Sequence, residues 1–101
     1  MSGLTKEEVY KAVRYLESMI GDKSLSLTRI NELIEYLRKI GIEPRDIIIA
    51  KKLLEGLEEP VKEILNIYPE RKDMVKEAIA NIVLVFYRQA RDDLIRIAEN
   101  L

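Results

Sequence analysis

The last third of the chain, from Glu70 to Leu101, contains neither glycine nor proline. Apolar residues recur there at Val75, Ala78, Ile79, Ile82, Val83, Phe86, Ala90, Leu94, Ile97 and Leu101, a stripe at the period of an α-helix. Superimposed on it is an unbroken run, Ile82-Val83-Leu84-Val85-Phe86-Tyr87. For nearly two turns such a helix is hydrophobic on every side and calls for cover all round. The β-branched and aromatic run alone would also suit a strand. Its flanks, Val75 to Ala80 and Gln89 to Ile95, carry a helical pattern and no turn residue divides them from the run, so the reading is one long helix.

A helix of about thirty residues reaches ~45 Å, whereas a domain of about 100 residues has a radius of gyration near ~13 Å. Either the last helix is a spine flanked by two tiers of shorter helices, or its end projects. In the second case Leu94, Ile95, Ile97, Ala98 and Leu101 lie in water and form a patch of the kind that marks an interface. In the first, the preceding helices fold over the whole length and hide it.

Start and stop signals divide the rest. Thr5 precedes Lys6-Glu7-Glu8, a capping box with Leu4 placed to staple onto Val9. Gly21 stands where a left-handed terminating residue is wanted. Ser26 caps a second helix with Leu25 stapling to Ile30, and Gly41 ends it. Pro44 opens a third helix as a first-turn proline, and Gly56 ends it. Pro60 starts a short fourth helix, and Pro69 forces Tyr68 out of helical geometry before the last one. The Tyr15-Leu16 and Tyr36-Leu37 pairs give the first two helices a loose similarity, with no third copy to suggest a repeat array.

Composition closes off several function classes. The chain has 101 residues and lacks cysteine, histidine and tryptophan. Thiolate metal sites and disulfides are therefore excluded, as is the usual general base near neutral pH. Seventeen basic residues face eighteen acidic ones, spread evenly over both halves, so no basic tail favours nucleic acid. Charges interrupt every apolar run near the N-terminus, giving neither a leader nor a membrane span; the expected location is cytoplasmic. Abundant isoleucine, a single glutamine and many Glu, Lys and Arg residues match the drift of thermophile proteins.

Three constellations bear on chemistry. Glu32-Leu33-Ile34-Glu35 and Glu55-Gly56-Leu57-Glu58 loosely resemble the paired acidic motifs of the all-α nucleotide pyrophosphatases of the MazG type. That resemblance implies Mg²⁺ held between helices by oxygen ligands. The family ends its second motif in Asp within a continuous helix, however, while Gly56 and Pro60 are expected to interrupt the helix here. Leu37, Ile40, Gly41, Ile42, Ile47 and Ala50 fit the apolar spacing of a helix-turn-helix, although Ile48 and Ile49 are poor readers of bases beside Arg45, Lys51 and Lys52. Arg88, Arg91 and Tyr87 could touch phosphates or stack a base, but Asp92 and Asp93 are their neighbours.

The sequence thus predicts a single all-α domain over residues 1–101, a five-helix bundle with four short helices packed on a long C-terminal one. Its expected function is that of a small non-catalytic protein–protein interaction or assembly subunit, homodimeric or accessory to a larger complex. Docking is expected through the apolar band of the last helix, at Leu84, Val85, Tyr87, Leu94, Ile95 and Leu101. No catalytic, cofactor or metal-binding residue is assigned. The alternative is a nucleic-acid-binding helix-turn-helix-like domain using Arg45, Lys51, Lys52, Arg88 and Arg91.

Overall fold

Four α-helices and one 3-10 turn account for the ordered backbone of the computed structural model, which describes residues 3–101: α1 (Lys6–Gly21), α2 (Leu27–Lys39), α3 (Arg45–Ile67), the turn Pro69–Arg71, and α4 (Lys72–Glu99). Met1 and Ser2 of the expected domain lie outside the described residues. The Ile82–Tyr87 run is helical throughout.

The local signals act as the sequence reading expects at most ends. The Glu8 amide donates to Thr5 Oγ1 at 3.2 Å and the Thr5 amide donates to Glu8 Oε1 at 2.9 Å, closing the capping box of α1. Ser26 Oγ accepts from the Arg29 amide at 3.2 Å at the start of α2. After α2 the Gly41 amide donates to the Arg38 carbonyl and the Ile42 amide to the Leu37 carbonyl, with Gly41 at φ +87°. This is a Schellman ending on glycine. At the end of α1 the same motif forms two residues later than expected, because the left-handed residue is Lys23, at φ 48°, rather than Gly21. The Ser24 amide reaches the Met19 carbonyl at 2.9 Å.

The expected division at Gly56 and Pro60 does not occur, and the helix count is four rather than five. Pro60 lies inside α3. A proline there removes the hydrogen bond to the carbonyl four residues back and crowds it, at a cost of about 3 kcal/mol. The residue four back is Gly56; both positions are exposed, and the space where a Gly56 side chain would stand is open. Water can therefore reach the freed carbonyl. Leu54, Leu57, Val61 and Leu65 continue one half-buried stripe across the proline, so packing against α4 carries the helix through it. Pro69 does end α3: Tyr68 adopts φ −127°, ψ 67°, and the Arg71 guanidinium stacks 4.0 Å from the Tyr68 ring centre.

The molecule measures 55 × 20 × 15 Å with a radius of gyration of 15.4 Å, longer than the ~13 Å expected of a compact chain of this size. The length has a specific origin. The core joins Val9, Val13, Leu16 and Met19 of α1, Ile30, Leu33 and Leu37 of α2, Ile47 and Ala50 of α3, and Val83, Tyr87, Leu94 and Ala98 of α4. It stops at Ala50 and resumes at Ala80: no residue from 51 to 79 is buried. The second half of α3 and the first half of α4 thus form an antiparallel hairpin arm that extends beyond the body. The projecting end of α4 is its N-terminal end. Its C-terminal half is the spine, flanked by α1 and the start of α3, with α2 packed on those two helices.

Candidate functional site

Of the six residues expected to face a partner, three belong to the interior. Leu84, Tyr87 and Leu94 are buried against the chain's own helices, and Ile95 is half-buried. The Tyr87 hydroxyl donates to the Ser24 carbonyl at 2.8 Å, tying α4 to the α1–α2 connection, and burial pushes its pKa up to about 12. The docking band expected around the whole circumference of α4 is therefore corrected to one side of it. The reason is the course of α3: as one long helix it pairs with the first half of α4, while α1 and the start of α3 cover the C-terminal half. Val85 and Leu101 remain open, but Leu101 stands alone at the far end.

Val85 belongs to a larger surface. Eight large hydrophobic side chains are exposed among the described residues, and seven of them, Ile49, Ile64, Ile67, Tyr68, Met74, Ile82 and Val85, lie on the α3–α4 hairpin. Their spacing is helical. On α3, Ile49, Leu53, Gly56, Pro60, Ile64 and Ile67 follow at steps of three and four, and on α4 so do Met74, Ala78, Ile82 and Val85. The most open are Ile67 at 68%, Met74 at 62% and Val85 at 59% of their full surface. Leu25 and Leu27, leading into α2, line a groove with Leu54, Leu57, Val61 and Ile79, which marks the side of the hairpin turned to the body. Helical phase puts the two exposed stripes together on the opposite side. They form one apolar face, whose outward positions between Met74 and Val85 carry no charge.

Sequence reasoning missed most of this face because it ended the third helix at Gly56. The signal was present: the steps from Leu53 through Gly56 and Pro60 to Ile64 stay in helical phase across the supposed break.

The charged candidates do not converge. Arg45 is exposed at the first position of α3, Lys51 is half-buried, and Lys52 and Arg88 are exposed. By helical phase Lys52 and Arg88 flank opposite margins of the apolar face. The half-buried Arg91 pairs with Asp92 at 3.2 Å. The turn between α2 and α3 has the left-handed glycine of a helix-turn-helix, and Leu37, Ile47 and Ala50 are buried as that spacing expects, but Ile49 is exposed and α3 continues into the arm. Nor do the paired carboxylates meet. Glu32 accepts a hydrogen bond from the Tyr15 hydroxyl of α1 at 2.9 Å, while Glu58, exposed on the arm, pairs with Lys62 at 3.5 Å. Among the described residues no three acidic side chains gather where they could hold a cation.

Compared with family models, curated proteins and solved structures, the chain matches none. No helix among the described residues is long and apolar enough to cross a membrane.

One carboxyl group is perturbed. Where α3 leaves the body, burial, reinforced by a hydrogen bond and charge from Asp93 of α4, raises the Asp46 carboxyl above its ordinary pKa of 3.8. A raised acid favours its protonated form in the fold, so its contribution to stability is full at acid pH and is lost as pH rises through the folded value. A carbon-detected NMR titration should find Asp46 titrating above 3.8. Asp93→Asn should lower it only in part, since burial is the larger cause. An Asp46 that already titrates like a free aspartate would show that the two side chains do not meet in solution.

Proposed function

We propose that this chain is a small non-catalytic assembly subunit whose docking element is the apolar face of the α3–α4 hairpin. A single observation carries the reading: six large exposed hydrophobic side chains, Ile49, Ile64, Ile67, Met74, Ile82 and Val85, recur at helical spacing along one side of the α3–α4 hairpin, whose distal part from 51 to 79 contributes no buried residue. The six expose on the order of 600 Å² between them, at the upper end of the ~300–600 Å² of the largest apolar patch on an ordinary monomer, a size that is often functional. The half-buried Leu54, Leu57, Val61 and Leu65 hold the two helices of the arm together on the inner side, and cover of the outer side by apolar surface recovers about 25 cal/mol per Å² before the costs of association.

The test is sedimentation of the tagged chain, both purified and in extract of the cells that express it. The wild type is expected to sediment above the mass of one chain in at least one of the two, and a Met74→Asp/Val85→Asp variant at the mass of one chain in both. Both substitutions fall on exposed positions, so the variant should keep its helical circular dichroism. A wild type at the mass of one chain in both settings overturns the reading.

A further inference from the structure

Resting on that reading, we propose that the occupant of the hairpin face is a second copy of this chain, docked hairpin to hairpin as an antiparallel four-helix bundle about a two-fold axis crossing α4 at Ile82 and α3 between Leu57 and Glu58. Area is the first argument. A standard stable interface covers ~800 Å² on each partner, and the six open side chains of this face supply most of that before the half-buried Leu53 and the exposed Ala78 and Pro60 beside them are counted.

Charge selects the arrangement. Two such hairpins can meet face to face about a two-fold axis in two ways. In one, α3 lies over the partner's α4. Residues at the same height in the hairpin then oppose each other, a height that Asp46 of α3 and Asp93 of α4 share, since both line one groove. That arrangement sets Lys52 against the partner's Arg88 and Glu63 against the partner's Glu77, two like-charge encounters each made twice. In the other, each helix lies antiparallel to its own copy. Ile82 then sits at the axis, Ile49 opposes the partner's Ile67, and the rim charges alternate: Lys52 falls beside the partner's Glu63, and Glu77 beside the partner's Arg88. Lys52, Glu63 and Arg88 hold no ion pair within the chain among the described residues. Opposite charges on a rim fix register and suppress the wrong pairing more than they add affinity.

The same axis gives the misread break in α3 a use. Gly56 and Pro60 fall on either side of it, so each Gly56 faces the partner's Pro60. With no side chain on one and a flat ring on the other, the two α3 helices can approach closely there.

Purified full chain, followed by analytical ultracentrifugation over a concentration series, is expected to show a reversible dimer with no larger closed species. Met74→Asp/Val85→Asp should weaken it more than a hundredfold. Lys52→Glu should weaken it about tenfold, because each reversal acts twice, and Lys52→Glu/Glu63→Lys should restore it. A single-chain mass at every concentration overturns the proposal; if that chain is larger in cell extract, the assembly reading stands and only the identity of the occupant falls. A dimer indifferent to Lys52→Glu, or one not rescued by the double reversal, overturns this arrangement.

Discussion

Leu84→Asp is expected to abolish folding at every protein concentration, whereas Val85→Asp, one residue along the same helix, is expected to leave the helical circular dichroism intact. The two positions differ in burial from 3% to 59% exposed. An aspartate at 84 removes a leucine from contact with the core, a loss of about 2–5 kcal/mol, and puts an unpaired carboxylate in its place, which costs several kcal/mol more. A domain with about 5–15 kcal/mol of total stability does not survive both. At Val85 the carboxylate stays in water and the fold loses at most a few tenths of a kcal/mol. Circular dichroism with thermal melts on the two variants checks the pair. A folded Leu84→Asp, or an unfolded Val85→Asp, would reverse the assignment of inner and outer sides on α4.

The second large effect concerns the buried tyrosine. Tyr87→Ala is expected to cost about 3–5 kcal/mol, enough to leave the chain largely unfolded at moderate temperature. Tyr87→Phe keeps the ring but leaves the Ser24 carbonyl, its partner at 2.8 Å, without a donor, at about 1–2 kcal/mol. Urea titration orders the three chains. The wild type should also lose its advantage over Tyr87→Phe in alkali. An unfolded tyrosine releases its proton near pH 10.0, while the buried one holds it to about 12. Unfolding therefore releases a proton within that window, and stability falls as pH rises through it. If the two chains keep a constant difference across that range, Tyr87 is ionising as freely as a surface tyrosine.

Local chemistry made the helical class and most helix ends legible. Thr5, Ser26, Gly41 and Pro69 act through atoms a few residues away, so their effect does not depend on the rest of the fold. Gly56 and Pro60 misled because the outcome there turns on distant contacts: alone they would break a helix, but Leu54, Leu57, Val61 and Leu65 lean on α4 across them. The misplaced docking band followed from that one break. With α3 cut in two, no element was long enough to pair with the first half of α4, and the other end of α4 was left as the one to project. The sequence reading expects cover around the full apolar circumference from Ile82 to Tyr87, and the fold supplies part of it, since Val83, Leu84 and Tyr87 are buried while Ile82 and Val85 are exposed. The sequence could not apportion that cover between the body, which takes Val83, Leu84 and Tyr87, and the outward face, which keeps Ile82 and Val85.

Because the core ends at Ala50 and resumes at Ala80, the reach of the arm is independent of whatever keeps the body folded. Deleting two turns from α3 and the matching two from α4 would shorten the particle by about 10 Å without touching a buried side chain. Lengthening it would be equally free of penalty to the interior. The hairpin is in that sense a spacer of adjustable length, and the distance it holds can change in whole turns while the body stays as it is.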